Sequence, residues 1–171
     1  VSIPGILSGR TVKLFSGQVV PVVEVHALRG LWGWDINRIL EAALKTLPSP
    51  PPPETEGALR KALRGFLARI YYDLRNLGVI SSDRALNYAA TNAVQAVEAF
   101  ADAIATERDL DTIDVEKSPF CRLDSDCWDV KLKFFDPNNN QKAKKIYRYT
   151  IDVSDLLPVT VGKVRSWTVA E

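Results

Sequence analysis

The chain has 171 residues, of which 46% are hydrophobic and 25% are charged, a composition typical of one soluble globular domain. Its 22 lysines and arginines nearly balance its 21 acidic residues, so the net charge of +1 gives no global attraction to nucleic acid or membranes. No apolar run reaches the roughly 18 residues of a membrane span, and no secretory leader is visible. We therefore expect a cytoplasmic protein that binds neither nucleic acid nor membranes.

The chain begins with valine and contains no methionine. This feature suggests a domain excised from a longer, multidomain protein. We interpret residues 1–171 as one domain, in which residues 1–10 are linker-like.

A β-hairpin is predicted near the N-terminus. Apolar and polar residues alternate over 11–15, Ser16 and Gly17 form a turn signal, and residues 18–25 are rich in β-branched side chains. Pro21 has no N–H to donate to a neighbouring strand, which favours an edge position.

Three helices are predicted to follow. Asp35 is a plausible N-cap for the first helix, which ends before a proline-rich segment at 48–55 that we interpret as an internal spacer. The second helix is predicted over Glu56–Leu77, with Gly78 ending it, and the third over Asp83–Thr106. The short connection between the last two predicts an antiparallel helix pair.

The remainder of the chain has the two-residue period of β-strands. A strand is predicted over 112–117, a long antiparallel hairpin over 127–153, and a last strand within 159–169. Strands followed by helices and then strands indicate an α+β fold, in which about three helices cover an antiparallel sheet.

No catalytic residues are assigned from the sequence. His26 is the only histidine, and no nucleophile elbow or glycine-rich phosphate loop accompanies it. The neighbouring carboxylates Asp124 and Asp126 fit a solvated loop better than an acid–base pair. A small thiol-dependent enzyme that uses Cys121 or Cys127 with His26 is the weakest of three functional hypotheses.

The two cysteines, Cys121 and Cys127, are six positions apart beside several acidic residues. Two reduced thiols are the state that a reducing compartment favours. Zinc is an alternative, because thiolates bind it well, but a structural site needs four ligands and a symmetric dimer would have to supply two cysteines from each chain. A disulfide across this short loop is the third state. The metal-site residues predicted from the sequence are therefore Cys121 and Cys127, with structural zinc as the only cofactor considered.

A basic cluster lies on the C-terminal hairpin. Its members are Lys131, Lys133, Lys142, Lys144, Lys145 and Arg148. Contacts to phosphate are one interpretation. We favour a solvated hairpin whose lysines discourage edge pairing, because Asp129, Asp136 and Asp152 dilute the positive charge.

Four segments together resemble the C-terminal domain of cyanobactin maturation proteases, the PatA- and PatG-type proteins of patellamide-like pathways. They are SGQVVPVVEVHALRGLWGWD, SSDRALNYAATNA, VEKSPFCRLDSDCWDVKLKFFDP and YTIDVSDLLPVTVGKVRSW. The segment with both cysteines, a tryptophan and a following strand is the most specific. The resemblance extends over about Thr11 to Val169.

The resemblance implies a role in ribosomal cyclic peptide biosynthesis. Proteins of this family carry a subtilisin-like serine protease domain, which removes the leader or macrocyclises the core peptide, and the C-terminal domain is one of unknown function. No catalytic residue of the protease or macrocyclase domain corresponds to a position in this chain. The sequence does not distinguish a PatA-type from a PatG-type parent.

Our leading hypothesis is a non-catalytic accessory domain that dimerises the parent protein or contacts its other domains. Trp32, Trp34, Trp128 and Trp167 are candidates for core or interface positions, and exposed aromatic residues beside Arg29 would favour an interface. The alternative is a module that binds the precursor peptide along an exposed strand edge near Pro21 or Val164.

Overall fold

The structure is a computed structural model that describes residues 5–25, 37, 40–41, 44–45, 47, 51–76, 78–91, 93–139 and 141–170. The chain divides into two compact units, Val1–Trp34 and Asp35–Glu171. The predicted α+β class is confirmed, since both units contain antiparallel sheets and the second adds helices.

The first unit contains the predicted hairpin as a separate two-stranded sheet. Strands β1 (Ile6–Lys13) and β2 (Val19–Glu24) pair antiparallel, with Leu7 opposite Val23. Gly17 has a φ of 87°, which a side chain would oppose, and this residue makes the tight turn between the strands. Strand β1 begins within the segment that we interpreted as linker-like.

The second unit begins with helical residues at positions 37, 40, 41 and 44, within the first predicted helix. Pro52 has the φ of −54° and ψ of 149° of a polyproline II residue, and helix α1 (Pro53–Ala68) starts directly after it. A proline in the first turn costs no hydrogen bond, because the N–H there has no intrahelical acceptor. A π-helical turn at Arg69–Asp73 extends α1.

Two helices occupy the region of the third predicted helix. Helix α2 spans Ser81–Thr91 and helix α3 spans Ala93–Ala105, with position 92 between them outside the described residues. Several alanines of these helices are buried, including Ala89 in α2 and Ala96 and Ala103 in α3.

The main sheet has five strands. Strand β3 (Asp109–Lys117), β4 (Cys127–Phe135) and β5 (Lys144–Asp152) form an antiparallel meander. Strands β6 (Val159–Thr160) and β7 (Arg165–Val169) both pair with β5 on its other side. The predicted hairpin over 127–153 is therefore the centre of this sheet.

The core lies between the helices and one face of the sheet. An aromatic series crosses it: the ring of Phe100 in α3 lies 5.2 Å from Phe66 in α1 and 5.1 Å from Phe134 in β4, between centroids. Phe134 in turn contacts Tyr147 of β5 at 5.7 Å. Because alternate side chains of a strand point to opposite faces, the odd-numbered residues of β4 lie on the face away from the helices. We call this the outer face.

Arginine side chains fasten the helical layer to the loops of the sheet. Arg84 in α2 donates to the backbone carbonyl of Val153 at 2.9 Å and also to that of Asp155. Arg108, directly after α3, donates to Ala143 O at 2.9 Å. These charge-assisted hydrogen bonds satisfy carbonyl groups that have no strand partner.

Candidate functional site

The segment that joins β3 to β4 carries Cys121, and Cys127 is the first residue of β4; we call residues 118–126 the cysteine loop. Both ends are held by backbone hydrogen bonds. Ser118 N–H donates to Cys127 O at 2.9 Å, and Val153 N–H donates to Asp126 O at 2.9 Å. The ends of the loop are therefore fixed by the sheet without help from the cysteine side chains.

Cys121 and Cys127 form a disulfide, with 5.6 Å between their Cα atoms. The bond uses both cysteines of the chain. Cys127 is only 2% exposed, whereas Cys121 is partly exposed. The structure thus contains the disulfide in place of the two thiols that the sequence favoured.

The zinc alternative requires thiolates, and a disulfide offers none. A site shared by Cys121 and Cys127 of two chains stays a prediction for the reduced form. Within the described ranges, no group of three or more His, Cys, Asp or Glu residues is placed to hold a metal ion.

A buried ion pair lies on the outer face next to the cysteine loop. Asp129 is 1% exposed, and Thr150 on the opposing strand donates its hydroxyl to Asp129 Oδ1 at 2.6 Å. The other carboxylate oxygen lies 3.5 Å from Arg148 Nη1, which provides the compensating charge. A buried carboxylate without such a cation would be costly, so this pair ties β4 to β5 electrostatically.

Two aromatic rings flank the guanidinium of Arg148. Its Cζ lies 5.2 Å from the ring centroid of Phe120, in the cysteine loop, and 5.8 Å from that of Trp167, in β7. Contacts of this kind attract a cation to the negative face of a ring. Phe120 therefore connects the middle of the cysteine loop to the buried ion pair.

A cavity of about 670 Å³ adjoins the cysteine loop. One wall is the loop itself, and another is the edge of the sheet at β6. Its lining residues are Pro119, Phe120, Cys121, Arg122, Ser125, Cys127, Asp152, Val159, Thr160 and Val161. Thr160 Oγ1 is buried without a hydrogen-bond partner. The disulfide is thus a wall of the cavity.

Asp126 closes the cysteine loop as an ionised side chain. Partial burial by itself raises its pKa, but hydrogen bonds from Lys117, Ser81 and Trp128 outweigh that effect and hold the pKa below its usual value. The indole N–H of Trp128 donates to Asp126 Oδ1 at 2.8 Å. Asp124 is exposed, so the two carboxylates serve separate structural roles.

Five of the six members of the basic cluster pair with acidic residues on neighbouring strands and turns, and Lys145 lies over the ring of Tyr147. Lys133 Nζ lies 2.6 Å from Asp114, Lys131 pairs with Glu116, and Lys142 lies 2.7 Å from Asp136. Lys144 and Arg148 have acidic partners as well, Asp111 and Asp129. The expectation that these lysines discourage edge pairing is wrong, because β4 and β5 are both central strands with neighbours on each side.

Several residues singled out in the sequence lie outside the described residues. They are His26, Arg29, Trp32 and Trp34. The sequence patterns did not reveal the burial of Asp129 or the position of Trp167 beside Arg148. The available signal for the ion pair was Asp129, an acidic residue opposite Thr150 in two otherwise regular strands.

The described part of the chain contains no helix that is long and apolar enough to cross a membrane.

Comparison with known proteins decides the family. The family described as PatG C-terminal matches residues 53–167, which include the cysteine loop and the cavity. The chain belongs to the PatG C-terminal family. A solved structure described as a PatG domain of unknown function has 51% sequence identity and a TM-score of 0.81. It matches 98% of this chain, which spans 62% of the length of that structure. No curated protein matches.

Proposed function

We propose that this PatG C-terminal domain is a non-catalytic accessory domain of a subtilisin-like cyanobactin maturation protease. Its role there is assembly, through dimerisation or through contacts with the other domains of the parent. Family membership supports the parent. An exposed apolar surface on the hairpin of the first unit carries the assembly role.

The hairpin presents large apolar side chains on one face of its two strands, which we call the hairpin face. Leu7 and Val23 are cross-strand partners and are 62% and 47% exposed, and Val19 is exposed on the same face. An isolated two-stranded hairpin is marginally stable in water. A contiguous exposed apolar surface of this kind is typical of an interaction site.

A second copy of the chain is the occupant that we infer for the hairpin face. An isologous interface places the same surface of both copies in contact, so two hairpin faces can pack against each other around a two-fold axis. The chain has a net charge of only +1, so two copies do not repel each other. Dimerisation would cover the hairpin face and bring two parent proteases together.

Sedimentation velocity over a series of protein concentrations tests this proposal. We expect the chain to form dimers and Val23→Asp to shift it to monomers, because a carboxylate would be buried without a partner. Val79→Asp is the matched control, since Val79 is exposed but lies outside the hairpin. A monomer at every concentration would contradict dimerisation.

The role in the parent is tested by processing of the precursor peptide, followed by mass spectrometry with and without this domain. An accessory domain leaves the chemistry of cleavage intact, so the truncated protease should cleave at an unchanged rate per active site while losing self-association. A loss of cleavage under saturating substrate would instead place part of the active site in this domain.

Binding of the precursor peptide is the second candidate function. The observation in its favour is the cavity beside β6, since the outer edge of β6 pairs with no further strand among the described residues. An extended peptide can add to such an edge through backbone hydrogen bonds. Titration calorimetry with leader, core and recognition sequences tests it, and heats of dilution alone for all three would remove this candidate.

A further inference from the structure

The disulfide is placed so that Cys121 is more exposed to an external thiol than Cys127. Both cysteines line the cavity, but Cys121 is partly exposed whereas Cys127 is 2% exposed. Arg122 lines the same cavity, and its positive charge attracts an approaching thiolate. Because thiol–disulfide exchange depends on access and on which sulfur is attacked, this placement directs attack to Cys121.

The surroundings of the two sulfur atoms differ in a second way. Cys121 Sγ accepts a hydrogen bond from the backbone N–H of Cys127 at 3.1 Å and lies 3.1 Å from the carbonyl oxygen of Ser125. Cys127 lies opposite Asp152 and two residues from Asp129, so neighbouring carboxylates repel a thiolate that approaches its sulfur. Both the exposure and the local charge therefore direct an approaching thiolate to Cys121.

We propose that the Cys121–Cys127 bond is a thiol–disulfide exchange site for an external dithiol, and that its reduction releases the cysteine loop while the sheet stays folded. A thiolate of the dithiol attacks Cys121 Sγ, and the electron pair of the broken S–S bond passes to Cys127 Sγ, which takes up a proton. The second thiol of the reagent then attacks the reagent sulfur atom that is bonded to Cys121 Sγ. The bond between that atom and Cys121 breaks, and Cys121 leaves as a thiolate. The dithiol leaves as a cyclic disulfide, and the protein has gained two electrons.

The reduced state differs from the oxidised state mainly in the middle of the loop. The ends stay in place, because Ser118 and Asp126 are held by backbone hydrogen bonds to the sheet. Between them, the disulfide and the contact of Phe120 with Arg148 connect the loop to the outer face. Reduction breaks the disulfide and leaves only the contact of Phe120 with Arg148. Phe120 then moves away more readily, and water reaches the buried pair of Asp129 and Arg148. The exchange site thus controls one wall of the cavity.

Two single-cysteine variants test the asymmetry. Cys127→Ser leaves only Cys121, and Cys121→Ser leaves only Cys127. With an aromatic disulfide reagent such as 5,5′-dithiobis(2-nitrobenzoate), we expect Cys121 to react at least about tenfold faster than Cys127, because Cys121 is the more exposed of the two. Circular dichroism first establishes that both variants are folded. Equal rates, or faster reaction of Cys127, would overturn the proposal.

Hydrogen exchange of the unmodified chain, with and without dithiothreitol, tests the structural consequence. We expect amides within 119–125 to exchange at least about tenfold faster after reduction, and those of β4 and β5 to be unchanged. Two results would contradict the proposal. One is that dithiothreitol reduces the disulfide only in unfolded protein, and the other is that amides across the whole sheet lose their protection from exchange after reduction. Neither test depends on the state of association, because monomer and dimer contain the same cysteine loop.

Discussion

Replacing Phe100 by alanine probes the packing that joins the helices to the sheet. Phe100 is 1% exposed and contacts aromatic rings on both sides, Phe66 at 5.2 Å and Phe134 at 5.1 Å between centroids. Truncation of a buried phenylalanine costs about 3–5 kcal/mol, because apolar burial is lost and a cavity remains. Loss of two aromatic pairs favours the upper part of that range, so we expect a loss of about 4–5 kcal/mol in the free energy of unfolding.

Urea denaturation followed by far-ultraviolet circular dichroism measures this loss. In thermal denaturation, each kcal/mol lost from the free energy of unfolding lowers the melting temperature of a chain of this size by about 2–4 °C. The melting temperature should therefore fall by roughly 8–20 °C. Phe15→Ala is the matched control, because Phe15 is fully exposed and its truncation should change stability by less than about 0.5 kcal/mol. A loss below about 1.5 kcal/mol for Phe100→Ala would refute the packing described for this core.

Three further predictions concern charge and redox state. Arg148→Met leaves the carboxylate of Asp129 buried without its cation, so we expect the free energy of unfolding from urea denaturation to fall by roughly 3 kcal/mol or more. Adding Asp129→Asn removes the buried charge and should restore part of this loss. A double variant that is no more stable than Arg148→Met would contradict the pairing. Burial and a neighbouring carboxylate raise the pKa of Tyr147, as burial does for Tyr149. Since the unfolded chain then loses phenolic protons first, stability should fall as the pH rises above about 10, and less steeply in Tyr147→Phe; an equal slope in pH-dependent melting would argue against this. The oxidised chain should contain no stoichiometric zinc by elemental analysis when prepared without chelator, because its disulfide offers no thiolate, and one zinc per two oxidised chains would contradict this.

Much of the main sheet could be predicted from side-chain alternation. Val130, Leu132 and Phe134 are all buried toward the helices, as a two-residue period requires. The same period predicts Asp129 to be solvated, yet it is 1% exposed. The reason is non-local, since the cysteine loop and Arg148 cover a position that the strand pattern alone leaves open.

The state of the cysteines was beyond sequence reasoning for a related reason. Six-residue spacing permits a thiol pair, a disulfide or part of a metal site, and only the backbone path decides among them. Here Ser118 and Cys127 are hydrogen-bonded at the base of the loop, which brings the Cα atoms of Cys121 and Cys127 to 5.6 Å. That distance is within the range of a disulfide.

Sedimentation velocity of the chain and of its Val23→Asp variant is the measurement that most directly tests the assembly role. We expect a concentration-dependent dimer for the unmodified chain, a monomer for Val23→Asp, and an unchanged dimer for Val79→Asp. A dimer that persists in Val23→Asp would move the interface away from the hairpin face. A chain that stays monomeric at every concentration would contradict dimerisation and leave contacts with other domains of the parent as the role to test.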